Sequence, residues 1–247
     1  ARLYFLTFEE NKEVLEILGA VSARDIFTVR SRNFGVLFRD TLRFFRLVRR
    51  ERIGAVVDLE LFSRFSAILA YLSGAGVRVG FHGYTVRGLY RGGLLTHRVQ
   101  FNQQRHIAGN FMALVKALKA DPSEKPLLKE SFSEDSLILP RSEVDSAAVA
   151  GIWEKLRRER PKISAGDKIV VLNPEIHTRL PLRSWPASHY LELAAKFMAL
   201  PDVWVVVIGT GEKDPAFDIK NDRCINLTGK TSLQELVALF HVARVLV

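Results

Sequence analysis

Between Asn173-Pro174 and Trp185-Pro186 the sequence carries His177, Thr178, Arg179 and Arg183, on a segment that follows an apolar strand pattern and precedes a helical one. A strand-to-helix loop of this kind suits phosphate, because the unpaired N–H groups and the dipole of the helix add to the side-chain charge. The same residues also suit a solvated loop, and spacing alone leaves the two readings even. Gly209-Thr210-Gly211-Glu212 follows the most apolar run of the chain, Val203–Ile208. Glycines there let a ligand approach the backbone closely. A dinucleotide fingerprint would need a third glycine at 214, where Asp214 stands, so an NAD site is disfavoured and a tight turn is the plainer reading. Gly229-Lys230-Thr231 looks like the end of a phosphate-binding P-loop, but the glycine required five positions earlier is Cys224. What remains is a capped helix start at Ser232, structural on local grounds, whose N–H groups could still meet a ligand.

Carboxylates come next. Asp58 and Glu60 stand two apart at the end of a predicted strand, a spacing that turns both to one side. They could orient a sugar hydroxyl or steady a positive charge. The competing reading, and the preferred one, has Asp58 capping the next helix or pairing with an arginine. His82, His97 and His106 share no metal-ligand spacing, and the single cysteine, Cys224, excludes an internal disulfide and a zinc cluster of the usual kind. Along 34–52, Phe34, Leu37, Phe38, Leu42, Phe45 and Val48 share one helical face, while Arg39, Arg43, Arg46 and Arg50 recur on another. The pattern fits a membrane-surface helix or a crossover helix that packs its apolar stripe on a sheet. In an α/β chain the second is expected of the stripe, and the arginines are free in both.

The scaffold that must hold these residues shows in the periodicity. Strands are predicted over 1–7, 25–29, 55–59, 77–81, 168–172 and 203–208, and a last one enters at 244–247. Helices are predicted over 9–18, 34–52, 63–72, 106–118, 142–160, 187–200 and 232–243, with capping boxes at Ser142/Asp145 and Ser232/Glu235. A polar stretch over 121–136 reads as a linker leading into a short strand at 137–139. Alternation of strand and helix implies parallel sheets, and two runs of it predict two Rossmann-like α/β domains, 1–140 and 141–247. Such sheets bind ligands outside the carboxyl ends of their strands, so the loops beginning at Leu59, Phe81, Leu172, Ile208 and Leu227 are the ones to watch.

Composition sets the bounds. The chain has 247 residues, 48% hydrophobic and 26% charged, as in an ordinary globular protein. No apolar run approaches the roughly 20 residues of a membrane span, and the opening residues carry no basic n-region or cleavage site. A net charge of +9 and a pI near 9.8 favour anionic partners: phosphorylated ligands, nucleic acid or an acidic membrane. No nucleic-acid motif is present. A lone cysteine fits a cytoplasmic location. The strand-like residues at both ends, without an initiator Met, predict a piece of a longer chain.

Several segments, in order, resemble glycosyltransferase family 9, the heptosyltransferases of lipopolysaccharide synthesis and their relatives. They are Asp58-Leu59-Glu60, Ser66-Ala67, Leu72-Ser73-Gly74-Ala75 and Arg78-Val79-Gly80-Phe81 in the first half. In the second half they are Asn173-Pro174, Arg183-Ser184-Trp185-Pro186, Tyr190, Leu193-Ala194, and Asn226 through Leu233 with Glu235-Leu236 and Ala238-Leu239. The resemblance implies a GT-B fold and an inverting transfer of a sugar from a nucleotide donor, ADP-heptose in the best-known branch. The implied acceptor is a lipid-linked glycan at the inner face of the cytoplasmic membrane, reached peripherally through Arg39, Arg43, Arg46 and Arg50. No metal or other cofactor is implied, and no nucleic acid.

Arg183 stands where the family usually has a Lys that contacts the donor diphosphate; Arg keeps the charge and adds a bidentate fork. The phosphate end is thus expected at Arg183, Thr178 and Asn173, with Gly209, Gly211, Glu212, Leu227, Thr228, Gly229, Lys230 and Thr231 flanking the nucleoside. The family's Gly-Asp motif, which supplies the base, and its Asp-Ser/Thr-Gly-x-x-His loop are not in this sequence. The base is therefore expected outside 1–247, with Asp58 and Glu60 as the in-chain candidates. The rival readings are a nucleotide-sugar 2-epimerase of the same architecture and a basic nucleic-acid-binding module.

Overall fold

The computed structural model describes residues 2–61, 63–83, 91–123, 143–174, 185–210, 217 and 219–247. The chain divides into two compact units, Ala1–Lys12 with Val21–Pro140, and Glu13–Ala20 with Arg141–Val247. Every strand pairing among the described residues is parallel, the α/β class that the alternating pattern predicts.

In the first unit β1 (Phe5–Phe8) pairs with β2 (Ile26–Val29), and β3 (Ala55–Asp58), β4 (Val77–His82) and β5 (His97–Gln100) form a second sheet in that order. The helices of this unit are α2 (Phe34–Arg50), α3 (Arg64–Leu72) and α4 (Ile107–Ala117); the short helix α1 (Lys12–Leu18) follows β1 in the chain, but beyond Lys12 it belongs to the second unit. Val79, Phe81 and Val99 bury one face of the second sheet against Ala113, Leu114 and Ala117 of α4. Phe101 meets Phe81 edge-on, 5.3 Å between centroids, a favoured aromatic geometry.

Helix α2 departs from its predicted stripe. Its buried residues are Asp40, Phe44 and Val48, whereas Phe34 is 90% and Phe38 66% exposed. The buried row keeps a spacing of four, so the helix is regular but rotated. The cause is a tertiary ion pair: Arg30 grips Asp40 with two guanidinium bonds of 2.8 and 2.9 Å and its own amide at 3.2 Å. A buried carboxylate must be paired, and satisfying it turns Phe34 and Phe38 outward.

The second unit holds α5 (Ser146–Glu159), β6 (Lys168–Leu172), α6 (Ala187–Met198), β7 (Val203–Val207), β8 (Cys224–Asn226), α7 (Leu233–Val242) and β9 (Ala243–Leu246). The strand order is β8-β7-β6-β9. Burial on both faces explains why β6 is apolar after Lys168 and β7 throughout. Ile169, Val171, Trp204 and Val206 face α5 and α7, meeting Ile152, Leu156 and Leu239. Val170, Leu172, Val203, Val205 and Val207 face α6 through Ala194. Each such side chain contributes roughly 1.5–3 kcal/mol on burial.

The capping box at Ser232 and Glu235 is formed: Ser232 Oγ accepts from the Glu235 amide at 3.1 Å and Glu235 Oε2 from the Ser232 amide at 2.8 Å. At α5 the cap is Asp145, which accepts from the Ala147 amide at 3.1 Å; Ser142 lies outside the described residues, as does the strand predicted over 137–139. The first strand is shorter than predicted, Phe5–Phe8. Strands β5 and β8 have no counterpart among the predicted elements.

Candidate functional site

In the second unit the chain builds β6, β7 and β8 outward in one direction, then returns to add β9 on the other side of β6. In open parallel sheets that reversal leaves a crevice outside the carboxyl ends of the two adjacent strands where the order reverses, here β6 and β9. Asn173, the residue after β6, stands at that point: its amide donates to the Val247 carbonyl at 2.8 Å, and the Val247 amide donates to Val171 at 2.9 Å. Residue 173 is exposed.

The loops after β7 and β8 clasp each other beside it. The Leu227 amide donates to the Val207 carbonyl at 2.8 Å and the Gly229 amide to the Gly209 carbonyl at 2.9 Å. Gly229 has a φ of +68°, a conformation that favours glycine. A Cβ on Gly209 would lie 3.4 Å from Thr228 Cγ2, so the two strand ends are in van der Waals contact. Asn226 fixes the turn, its Oδ1 accepting from the Thr228 amide at 3.0 Å and its Nδ2 donating to the Phe217 carbonyl at 3.1 Å.

Gly209, Thr228 and Gly229 are thus brought together at the carboxyl ends, with Thr231 just before the Ser232 cap. Two of the expected donor residues have other work. Leu227 is fully buried and packs in the core between sheet, α5 and α7. The Lys230 ammonium pairs with Glu159 at 2.5 Å, and its carbonyl accepts from Lys155, which also pairs with Glu235 at 2.7 Å. This network ties the β8–α7 turn to α5. Thr178, Arg183, Gly211 and Glu212 lie outside the described residues.

The entrance to α6 carries an arrangement that no spacing rule had marked. Trp185 stacks on His189, 5.3 Å apart and 16° from coplanar, and meets Tyr190 edge-on at 5.0 Å; Tyr190 in turn meets Phe217 edge-on at 6.2 Å. The aromatic row links the Trp185-Pro186 turn to the segment before β8. Pro186 caps α6 without a side-chain hydrogen bond, so the first-turn N–H groups are not met by a capping side chain.

In the first unit the carboxylate candidates separate. Asp58 is buried at the end of β3; its Oδ2 pairs with Arg91 and its Oδ1 accepts from the Glu60 amide at 3.1 Å. Arg91 also donates to the carbonyls of Ser63 and Glu60, at 2.8 and 2.6 Å, and to Ser66 Oγ at 2.6 Å. Both oxygens of Asp58 hold donors, so it anchors a loop and is not a free base. Its pairing with arginine is the reading the sequence favoured, though the partner was not legible. β3 ends at Asp58, so Glu60 lies beyond the strand, where the two-residue alternation behind the expectation that both carboxylates face one side does not apply. Glu60 remains exposed.

The histidines serve locally. His97 Nδ1 lies 2.8 Å from Thr96 Oγ1, and His106 caps α4 by accepting from the Ala108 amide at 3.3 Å. Burial, helped by Arg98, holds the His82 imidazole below its usual value. Among the described residues no three His, Cys, Asp or Glu side chains group to hold a metal ion, and no helix is long and apolar enough to cross a membrane.

Comparison with known proteins agrees with this geometry. The model of glycosyltransferase family 9 (heptosyltransferase) matches residues 41–247. The fold is shared with the ADP-heptose lps heptosyltransferase II of E. coli, with a TM-score of 0.67 and 18% identity over 100% of this chain and 69% of that one. The glycosyl transferase family 9 protein of Veillonella parvula DSM 2008 superposes with a TM-score of 0.72 at 16% identity, over 99% of this chain and 65% of that one. The E. coli heptosyltransferase WaaC with ADP gives 0.63 at 16% identity, over 99% and 71%. The chain thus spans 65 to 71% of the length of these three proteins. No curated protein matches it significantly by sequence.

Proposed function

This chain belongs to glycosyltransferase family 9, and we propose that it serves the inverting transfer of a heptose-like sugar from a nucleotide donor to a lipid-linked or cell-envelope glycan. The observation that carries the reading is the switch point of the second unit, where Asn173 follows β6 and, at the carboxyl ends of the same parallel sheet, Gly209, Thr228 and Gly229 meet. The structure of the E. coli enzyme WaaC with ADP supports the donor class.

On this reading Arg183, Thr178 and Asn173 hold the donor diphosphate, and Gly209, Gly211, Glu212, Thr228, Gly229 and Thr231 flank the nucleoside. An acceptor oxygen attacks the anomeric carbon as the bond to the diphosphate breaks, and a base takes the acceptor proton. The protein's part is positioning, together with neutralising the departing charge by cations and helix N-termini. The reading needs no resident metal or cofactor. Asp58 is not the base, since its oxygens are committed.

Peripheral contact with an anionic membrane is part of the same proposal. The outward side of α2 presents Phe34 and Phe38 beside Arg39, the pairing of aromatic and basic side chains that lies at a bilayer interface.

Calorimetry with ADP tests the donor site. Arg183→Ala is expected to weaken binding about tenfold to a hundredfold, in line with roughly 1.5–3 kcal/mol for a charge-assisted hydrogen bond. Parent-like affinity in that variant would remove Arg183 from the site.

A further inference from the structure

Three of the four arginines along α2 do more than form an exposed row. Arg43, Arg46 and Arg50 line a cavity of about 650 Å³ together with Arg2 and Arg24, while Arg39 is not part of its wall. Tyr4 and Phe27 supply aromatic surface, and the wall's one carboxylate is Asp25. Arg2 and Tyr4 precede β1, Arg24 and Asp25 precede β2, and the three helix arginines occupy the second half of α2. The cavity therefore lies at the amino ends of β1 and β2, the opposite end from the one where parallel sheets take their usual ligands.

The charges within it are unevenly matched. Arg2 bonds Asp25 at 2.6 Å, and Arg24 approaches the other oxygen of the same carboxylate at 4.0 Å. Arg50 pairs with Glu51 at 2.8 Å, outside the wall. Arg43 lies 3.5 Å from Asp40, with its guanidinium 5.8 Å from the centre of the Phe27 ring, and Arg2 sits 4.9 Å from the centre of Tyr4. Among the described residues no carboxylate pairs with Arg46. Aromatic contacts and ion pairs thus fix the guanidiniums in place; Glu51, which also approaches Arg2 at 3.7 Å, and Asp40 lie outside the wall, so the five arginines are met by three carboxylates and keep an excess of positive charge. A concave wall with an excess of one sign concentrates the potential inside it. The guanidinium fork matches phosphate oxygens two at a time, and the volume is that of a small-molecule site.

We propose that this cavity binds a phosphoester or diphosphate group, as a second anion site separate from the donor site of the other unit. A free phosphorylated solute and the phosphate of a lipid headgroup offer the same chemistry to these arginines, and the experiment separates them.

Inorganic pyrophosphate is titrated calorimetrically into the full chain at low salt, for the parent, Arg46→Ala and Arg39→Ala. Arg46→Ala is expected to weaken binding about tenfold, equivalent to about 1.4 kcal/mol, and Arg39→Ala to change it less than about twofold. Arg46→Lys, which keeps the charge but loses the fork, should fall between parent and Arg46→Ala; it serves as the second variant if Arg46→Ala does not fold. In parallel, vesicles of phosphatidylcholine containing phosphatidic acid are bound by sedimentation. A loss in Arg46→Ala for both pyrophosphate and vesicles assigns the cavity to a headgroup; a loss for pyrophosphate alone assigns it to a soluble ligand. No pyrophosphate binding by the parent, parent-like binding by Arg46→Ala, or equal losses in the Arg39 and Arg46 variants would overturn the proposal.

Discussion

Arg91 closes over Asp58 from 33 residues away in sequence, and the two side chains are 0% and 4% exposed. Removing one partner of a buried pair leaves the other charge without compensation, at a cost of roughly 3–5 kcal/mol. Arg91→Ala should therefore lower unfolding free energy by that order in urea titrations. The exposed pair Arg158–Glu154, 74% and 63% exposed on α5, provides the contrast, since such pairs are worth about 0–1 kcal/mol. A loss in Arg91→Ala no larger than in Arg158→Ala would show that Asp58 is solvated in solution.

Acid stability should report on Asp40. The Arg30 guanidinium, with its amide, holds the Asp40 carboxyl below the usual carboxylate range against the opposing effect of burial. A depressed folded value stabilises the protein above the ordinary carboxylate pKa of roughly 3.9, and that stability is lost as pH falls through the folded value. Thermal midpoints should hold steady near neutrality and decline below about pH 4. Asp40→Asn should lower the midpoint at pH 7 and flatten the acid slope. An unchanged slope in Asp40→Asn would mean that other carboxylates govern the decline.

The cap of α7 gives a local test. Ser232→Ala removes the acceptor for the Glu235 amide and is expected to cost about 1 kcal/mol, while Ser232→Asp should retain most of it. Equilibrium denaturation distinguishes the two, and equal losses would argue that Lys155, paired with Glu235, holds the helix start instead.

Phe34 and Phe38 should matter only where a membrane is present. The double variant Phe34→Ser/Phe38→Ser is expected to lose vesicle affinity at least tenfold, given roughly 1.5–3 kcal/mol for burying each ring fully, and to keep ADP affinity and thermal stability. Reversal of Arg39 to Glu should add a salt-sensitive loss, since each basic residue near an anionic surface contributes about 1 kcal/mol. Vesicle binding that survives all three changes would place the contact elsewhere.

What was legible in the sequence was local or redundant. Strands β6 and β7 are buried on both faces, and their continuous apolar runs, Ile169–Leu172 and Val203–Val207, say so. The α7 cap needs only Ser232 and Glu235, three positions apart. Gly209 stands out as a glycine after an apolar run and Gly229 as the start of a P-loop-like Gly-Lys-Thr, and the structure joins them by a hydrogen bond. What was hidden depends on distant partners. Arg30 turns α2 away from its apparent apolar stripe, Glu159 claims the Lys230 ammonium, and Arg91 sits in a glycine-rich loop with nothing nearby to name Asp58 as its target. Strand β5 reads His97-Arg98-Val99-Gln100, and β8 has three residues; neither is long or apolar enough to declare a period.

The position of β6 between β7 and β9 also sets a timetable. As the chain leaves the ribosome, β6 is the first strand of its described sheet to emerge, and Ala243–Leu246 follows only after β7 and β8. Until those residues arrive, one side of β6 remains an open row of backbone donors and acceptors on an apolar strand, the kind of edge that recruits foreign strands. Parallel pairing gives no early hairpin to cover it, so a strand buried over four of its five residues waits unpaired on one side, open to misassembly, until β9 is made.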